Sequence, residues 1–171
     1  MNDAKADVLL IGFGNPGRGD DGLGPALAEA VEKLALPGVT VDADYQLTVE
    51  DAEAVARHSV VVFADADVSG PEPFGFYPLE PKSGWSFTSH HLEPAAVLAL
   101  AAEVFGARPP AYLLGIRGYA FDEFNEALTA NAAANLAAAV QFFLAAWQEG
   151  RLRPAAAAAA SVAAGSREEE P

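Results

Sequence analysis

Gly12-Phe13-Gly14-Asn15-Pro16-Gly17-Arg18-Gly19-Asp20-Asp21-Gly22-Leu23-Gly24 joins an aliphatic run, Val8-Leu9-Leu10-Ile11, to a segment whose apolar residues Leu27, Val31 and Leu34 recur at helical spacing. A buried strand, a glycine-rich turn and a helix are expected in that order. The strand fixes the backbone, the glycines permit close approach or positive φ, and the helix amino end is electropositive. A phosphate would suit such a turn, but Asp20 and Asp21 stand where a phosphate-binding loop keeps anions out. Either these carboxylates cap the helix or they bind something. Asp20 is the expected cap, and Asp21 the expected recognition residue.

Working outward, the helix that begins between Asp20 and Pro25 should stop near Leu36, before Pro37-Gly38. Val39 to Ala43 reads as a second strand with Asp44 just beyond it, and Thr48-Val49-Glu50-Asp51 resembles a capping box for a helix reaching Arg57. Ser59 to Ala64 is the clearest strand, followed by Asp65-Ala66-Asp67; Phe74 to Leu79, with its proline, suits a sheet edge. Further elements are a helix over 93–105, a strand over 111–116 and an alanine-rich helix over 125–147. This alternation predicts a three-layer α/β/α sandwich around a mainly parallel, twisted sheet. Residues 1–150 would form one domain, and the Ala/Glu-rich stretch 151–171 a tail that buries no core face.

Composition narrows the function. A chain of 171 residues with 51% hydrophobic residues can bury a proper core. It contains no cysteine, so any metal must be held by oxygen and imidazole. The formal net charge of −14 disfavours nucleic acid and suits a metal cation or a basic protein segment. The start, Met1-Asn2-Asp3-Ala4-Lys5-Ala6-Asp7, does not read as a signal peptide, and no apolar run reads as a membrane span. A cytoplasmic monomer that needs no membrane is expected.

In an open α/β sheet, ligands gather outside the carboxyl ends of the strands. Asp21, Asp44 and Asp65 follow the first three strands, and His90 opens a helix after a long loop. Carboxylates and an imidazole on one rim suit a divalent transition metal with positions left for water or substrate. Each alone is an ordinary cap, turn or surface residue; His58, away from the acids, reads as structural. Gly12-x-Gly14-x-x-Gly17 also matches a dinucleotide fingerprint, with Asp42 or Asp44 as the ribose acid, but Asp20-Asp21 would repel the pyrophosphate.

Gly12-x-Gly14-Asn15-Pro16 followed by Asp20-Asp21-Gly22-x-Gly24 resembles the amino-terminal motif of the nickel–iron hydrogenase maturation endopeptidases. Phe63-Ala64-Asp65-Ala66 resembles that family's strand-end aspartate, and Ser89-His90-His91-Leu92 its loop histidine. The resemblance runs from about Val8 to Trp147, and the local sequence after Asp44 is similar to the branch serving soluble hydrogenases. It implies a phosphorylase/hydrolase-like fold and an aspartic-type peptidase. Such an enzyme clips a carboxyl-terminal extension from the large-subunit precursor after nickel insertion. It further implies Asp21, Asp65 and His90 (rather than His91) as contacts to nickel carried by the precursor, with Asp21 and Asp44 as the catalytic carboxylates. Several relatives have Glu where Asp21 stands, and many have Asp-Gly-Gly-Thr where this chain has Asp44-Tyr45-Gln46-Leu47-Thr48. The opening is also similar to that of peptidyl-tRNA hydrolases, which continue with Thr-Arg-His-Asn where this chain has Arg18-Gly19-Asp20-Asp21. A nickel-sensing checkpoint without cleavage would use the same residues.

Overall fold

A computed structural model describes residues 7–82, 92–122 and 124–152. The aliphatic run becomes β1 (Val8–Phe13), and the glycine-rich stretch forms a loop ending in a 3-10 turn, Gly19–Gly22, that runs into α1 (Leu23–Lys33). There follow β2 (Val39–Asp44), α2 (Asp51–Ala56), β3 (Val60–Asp67), β4 (Phe74–Leu79), α3 (Pro94–Phe105), β5 (Ala111–Arg117) and α4 (Ala130–Gln148). The sheet order is β2-β1-β3-β5-β4, and only β4 is antiparallel, paired to β5 at the edge. That placement accommodates Pro78, which cannot donate to a ladder on both sides.

Alternation along the strands builds two cores, one on each face of the sheet. Val8, Leu10, Val60, Val62, Leu114 and Ile116 meet α1 and α4 through Leu23, Leu27, Val31, Ala139 and Phe143. Leu9, Ile11, Val61 and Phe63 meet α2 and α3 through Val55, Val97, Leu98 and Ala101. The expected three-layer sandwich is the architecture found. Asp42, Asp44, Asp65 and Asp67 share the α2/α3 face by this same period, being odd-face neighbours of Phe13 and Phe63.

The first helix lies directly on the sheet because two glycines let it. A Cβ on Gly12 would strike the Gly24 carbonyl oxygen, and one on Gly24 would strike the carbonyl oxygens of Phe13 and Ala64. With no side chains between them, the first turn of α1 touches β1 and β3, and the loop before it is drawn over the carboxyl edge.

Three boundaries differ from the sequence reading. β3 continues to Asp67, so Asp65 lies within the strand, opposite Gly115, rather than beyond its end. α4 starts at Ala130 rather than Asn125, because the Asn125 main chain pairs with Gly17 and Gly19 and the Thr129 hydroxyl caps the helix at Ala132 N, 3.2 Å away. At the other end, Leu152 is buried in the α1/α4 core and Arg151 lies over the Phe142 ring, so packing continues two residues past the expected boundary. Residues 153–171 lie outside the described residues. The expectation that no segment could span a membrane needs correcting: α4, with 19 residues and a mean hydropathy of 1.2, is long and apolar enough by length and composition. Its apolar character has a use in the fold, since Ala132, Ala139, Phe143 and Ala146 are buried against the sheet and α1.

Gly24→Ala is expected to destabilise the fold by about 2–4 kcal/mol, because the methyl group has rigid backbone on two strands to displace. Urea denaturation checks this; a midpoint within error of wild type would contradict the close packing described.

Candidate functional site

The order β2-β1-β3 means that the chain leaves β1 toward one side and returns on the other, so loops diverge between β1 and β3. In open α/β sheets this divergence opens a crevice at the carboxyl edge. Asp21 lies in the loop that leaves β1, and Asp65 is near the carboxyl end of β3. The two acids therefore flank the crevice.

Asp20 does not cap α1, contrary to expectation: no side chain caps the 3-10 turn or α1. Its carboxylate points the other way and is fully buried. Oδ2 accepts from Tyr119 N (2.8 Å), Ala120 N (3.1 Å) and the Thr129 hydroxyl (2.8 Å), while Oδ1 accepts from Thr129 N (2.8 Å). Burial pushes the Asp20 carboxyl up, but these donors at Thr129, Tyr119 and Ala120 outweigh it and hold the pKa below the ordinary value. Because the Thr129 hydroxyl also caps α4, one carboxylate joins the loop after β1, the loop after β5 and the start of the last helix. Main-chain bonds reinforce the joint: Asp20 N to Ala120 O, Gly19 N to Asn125 O and Asn125 N to Gly17 O.

Asp21 is held from its own loop. Asn15 N donates to Asp21 Oδ2 at 2.8 Å, and Gly17 N donates to Asn15 Oδ1 at 2.9 Å, closing the turn on itself. Gly14, at φ 141°, passes so near the Asp21 carbonyl that no Cβ would fit. Asp65 Oδ1 accepts from Ala66 N at 2.8 Å. Burial above all, then repulsion from Asp21 and Asp67, overcomes that hydrogen bond and pushes the Asp65 carboxyl up to about 7. A strongly raised carboxyl beside a second carboxylate, in a crevice, is a physical mark of a functional site. It is also a donor set that a divalent cation would relieve of its repulsion.

Asp44 stands one strand farther out. Its carboxyl is raised by desolvation and then by Asp42, Asp51 and Glu50. Carboxylate oxygens of Asp42, Asp44 and Asp51 lie within 4.8 Å of one another. Asp51 is the buried member and accepts from Thr48 N at 2.7 Å, which is one half of the expected capping box. The edge thus carries two acidic groups, Asp21–Asp65 and Asp42–Asp44–Asp51, linked by the bond from Gly14 N to Asp44 O at 3.0 Å. His90 and His91 lie outside the described residues. Leu92, which follows them, bridges to Leu47, three residues past Asp44. His58, read as structural, has its Nδ1 2.6 Å from Ala54 O.

The sequence reading missed Tyr119, Thr129, Asn135 and Arg117. Asn135 Nδ2 donates to Arg117 O (3.0 Å) and to the Tyr119 hydroxyl (2.9 Å), which in turn bonds the Glu72 carboxylate. The Arg117 guanidinium lies over the Tyr119 ring and donates from Nη1 to Gly70 O at 2.7 Å. A buried Asn inside the alanine-rich last helix was the one available signal, since Asn is a poor helix-interior residue without a partner.

Fold and edge together define a three-layer α/β/α protein with an acid pair at the topological switch of its sheet. Solved structures with this fold include a NiFe hydrogenase maturation protease, HycI, from Thermococcus kodakarensis KOD1 (22% identity, TM-score 0.65, covering 85% of this chain and 95% of that one). Others are the hydrogenase maturating endopeptidase HybD from E. coli (21%, 0.63, 87% and 98%) and a hydrogenase 2 maturation peptidase from Thaumarchaeota archaeon SCGC_AB-539-E09 (23%, 0.59, 81% and 96%). No family model matches the sequence, and no curated protein does. At these identities the likeness establishes the fold.

Two consequences are measurable. Asp20 has a depressed folded pKa, so its contribution to stability is present above the unfolded value near 3.9 and is lost as pH falls through the folded value. Asp20→Asn, which turns an amide NH2 toward NH donors, should cost about 3 kcal/mol at neutral pH. The gap to wild type should narrow in acid-unfolding curves as pH falls below the unfolded value near 3.9 and through the lower folded value. Asp65 has the opposite sign: its folded pKa is raised, so the charged group lowers stability increasingly from about pH 4 to about 7. Asp65→Asn keeps an acceptor for Ala66 N and should raise Tm by several degrees at about pH 8, with almost no gain at about pH 4.

Proposed function

We propose that this chain is a processing endopeptidase that removes the carboxyl-terminal extension of a nickel–iron hydrogenase large-subunit precursor once nickel is in place. The observation that carries the reading is the Asp21–Asp65 pair at the crevice between β1 and β3, on a fold shared with proteins named as hydrogenase maturation proteases. The nickel belongs to the substrate, and Asp21, Asp65 and His90 are its contacts from this chain. Two hard oxygen donors and an imidazole suit a divalent first-row cation.

In this reading the cation of the precursor displaces the proton that Asp65 holds near neutral pH and neutralises its repulsion with Asp21. Asp21 is ready for that contact because Asn15 N fixes one of its oxygens and Asp20 fixes the loop. Recognition of the metal seats the scissile peptide along the edge. Asp44, a carboxyl raised by desolvation and then by its acidic neighbours, takes the proton of the water that attacks the scissile carbonyl carbon. It returns that proton to the leaving nitrogen as the C–N bond breaks, with Asp21 as the second carboxylate. A charged ligand set that is costly without a cation gives the discrimination the task needs: a precursor lacking nickel offers nothing to offset it.

Asp21→Ala, Asp65→Ala and His90→Ala should each lower cleavage of a nickel-loaded precursor by at least about a hundredfold. Mass spectrometry reads the loss of the carboxyl-terminal peptide. Normal cleavage by all three variants would sink the assignment. Wild type that binds the loaded precursor and leaves its mass unchanged would make the protein a nickel-sensing checkpoint without peptidase activity.

A further inference from the structure

Exposed apolar side chains mark the same edge as the acids. Tyr45 follows β2, Val68 follows β3, and Tyr119 and Phe124 follow β5. Phe124 stands out among them at 96% exposure. A phenyl ring left in water forgoes the free energy that burial would supply. Scattered exposed hydrophobics are ordinary, but two further observations separate this one. Its backbone is left-handed, with φ 62°, a region that bulky residues rarely occupy and that holds the ring away from the body of the fold. Described residues near it are also tied to the site loop. Asn125 is bonded through both N and O to the loop that ends at Asp21, and Tyr119, Ala120 and Thr129 are bonded to Asp20.

A ring displayed next to a residue bonded through both N and O loses less conformational freedom when it docks. Exposed Asp122 and Glu126 flank it, and half-buried Asp42 with exposed Asp44 and Glu50 lie farther along the edge, with Arg18 the one exposed cation of the site loop. The field around the ring is therefore mainly negative.

We propose that Phe124 is a docking anchor that enters an apolar pocket bordered by basic side chains on the protein substrate. This rests on the reading that the substrate is a folded precursor protein. The one-residue link from Phe124 to Asn125 then sets the distance between the anchor and Asp21, so the seated ring positions the precursor's metal over the acid pair. Tyr45 and Val68 border the crevice on the other strands as the apolar rim of the same interface.

The test compares wild type, Phe124→Ala, Phe124→Leu and a control at the opposite end of the sheet, Val104→Ala, with the nickel-loaded large-subunit precursor. Steady-state cleavage and precursor affinity for immobilised protein are both measured. Phe124→Ala should raise KM and Kd about tenfold or more with kcat within about twofold, Phe124→Leu should fall between, and Val104→Ala should match wild type. Equal KM and Kd for Phe124→Ala and wild type, with wild type cleaving, would overturn the anchor and leave the peptidase reading intact. Wild type that binds without cleaving, with binding lost in Phe124→Ala, would keep the anchor and remove the peptidase reading. Neither binding nor cleavage by wild type overturns both.

Discussion

A single buried carboxylate, Asp20, holds the working end of this protein together. Burying an unpaired carboxylate would cost several kcal/mol, and here two oxygens accept four hydrogen bonds from three residues in place of water. All three lie about a hundred residues away in sequence, so the bond set closes a long loop that local structure could not close. The Thr129 hydroxyl passes the constraint on to the amino end of α4. Hydrogen bonds to a charged acceptor are stronger than neutral ones, which suits a joint between two loops distant in sequence.

Adjacent acids thereby acquire opposite tasks. Asp20 is saturated with donors and its charge is quiet. Asp21, one residue on, has a donor from Asn15 and a nearby Asp65 that shares its negative field. Asp65 in turn has its own neighbour's N–H and is pushed to about 7 by burial and by the acids around it. Both Asp20 and Asp65 are pushed up by burial, and the number of donors aimed at each decides which carboxyl ends below its ordinary value and which above. Strain of this electrostatic kind is tolerated where it serves recognition, and the satisfied Asp20 network supplies the rigidity that permits it.

Much of this was legible in the chain. Aliphatic runs at 8–11, 59–64 and 111–116 carry the period and β-branching of buried parallel strands, and Pro37-Gly38 and Thr48–Asp51 mark helix ends by local chemistry. Asp21, Asp44 and Asp65 read onto one edge because each comes at the carboxyl end of a strand of a parallel sheet. The role of Asp20 was not legible: an aspartate before a helix looks like a cap, and its real partners are brought in by tertiary structure. The same long-range pairing explains the misplaced start of α4, since Asn125 to Leu128 have helical company but their main chain is engaged by the Gly17–Gly19 loop. The division of the rim into two acidic groups depends on strand order, which no local pattern encodes.

Strand order also decides which acids can act together. With β1 central between β2 and β3, a ligand in the crevice meets Asp21 and Asp65 first, and Asp44 only across β1. The acid pair at the switch is thus suited to hold a cation, while Asp44, grouped with Asp42 and Asp51, lies on a strand two spacings, about 9.6 Å, from the one that carries Asp65. β1 stands between the two acidic groups and is bonded along its length to β2. The main-chain bond from Gly14 to Asp44 keeps those two strands in register, so a shift of the Asp21 loop would be felt at Asp44 as well.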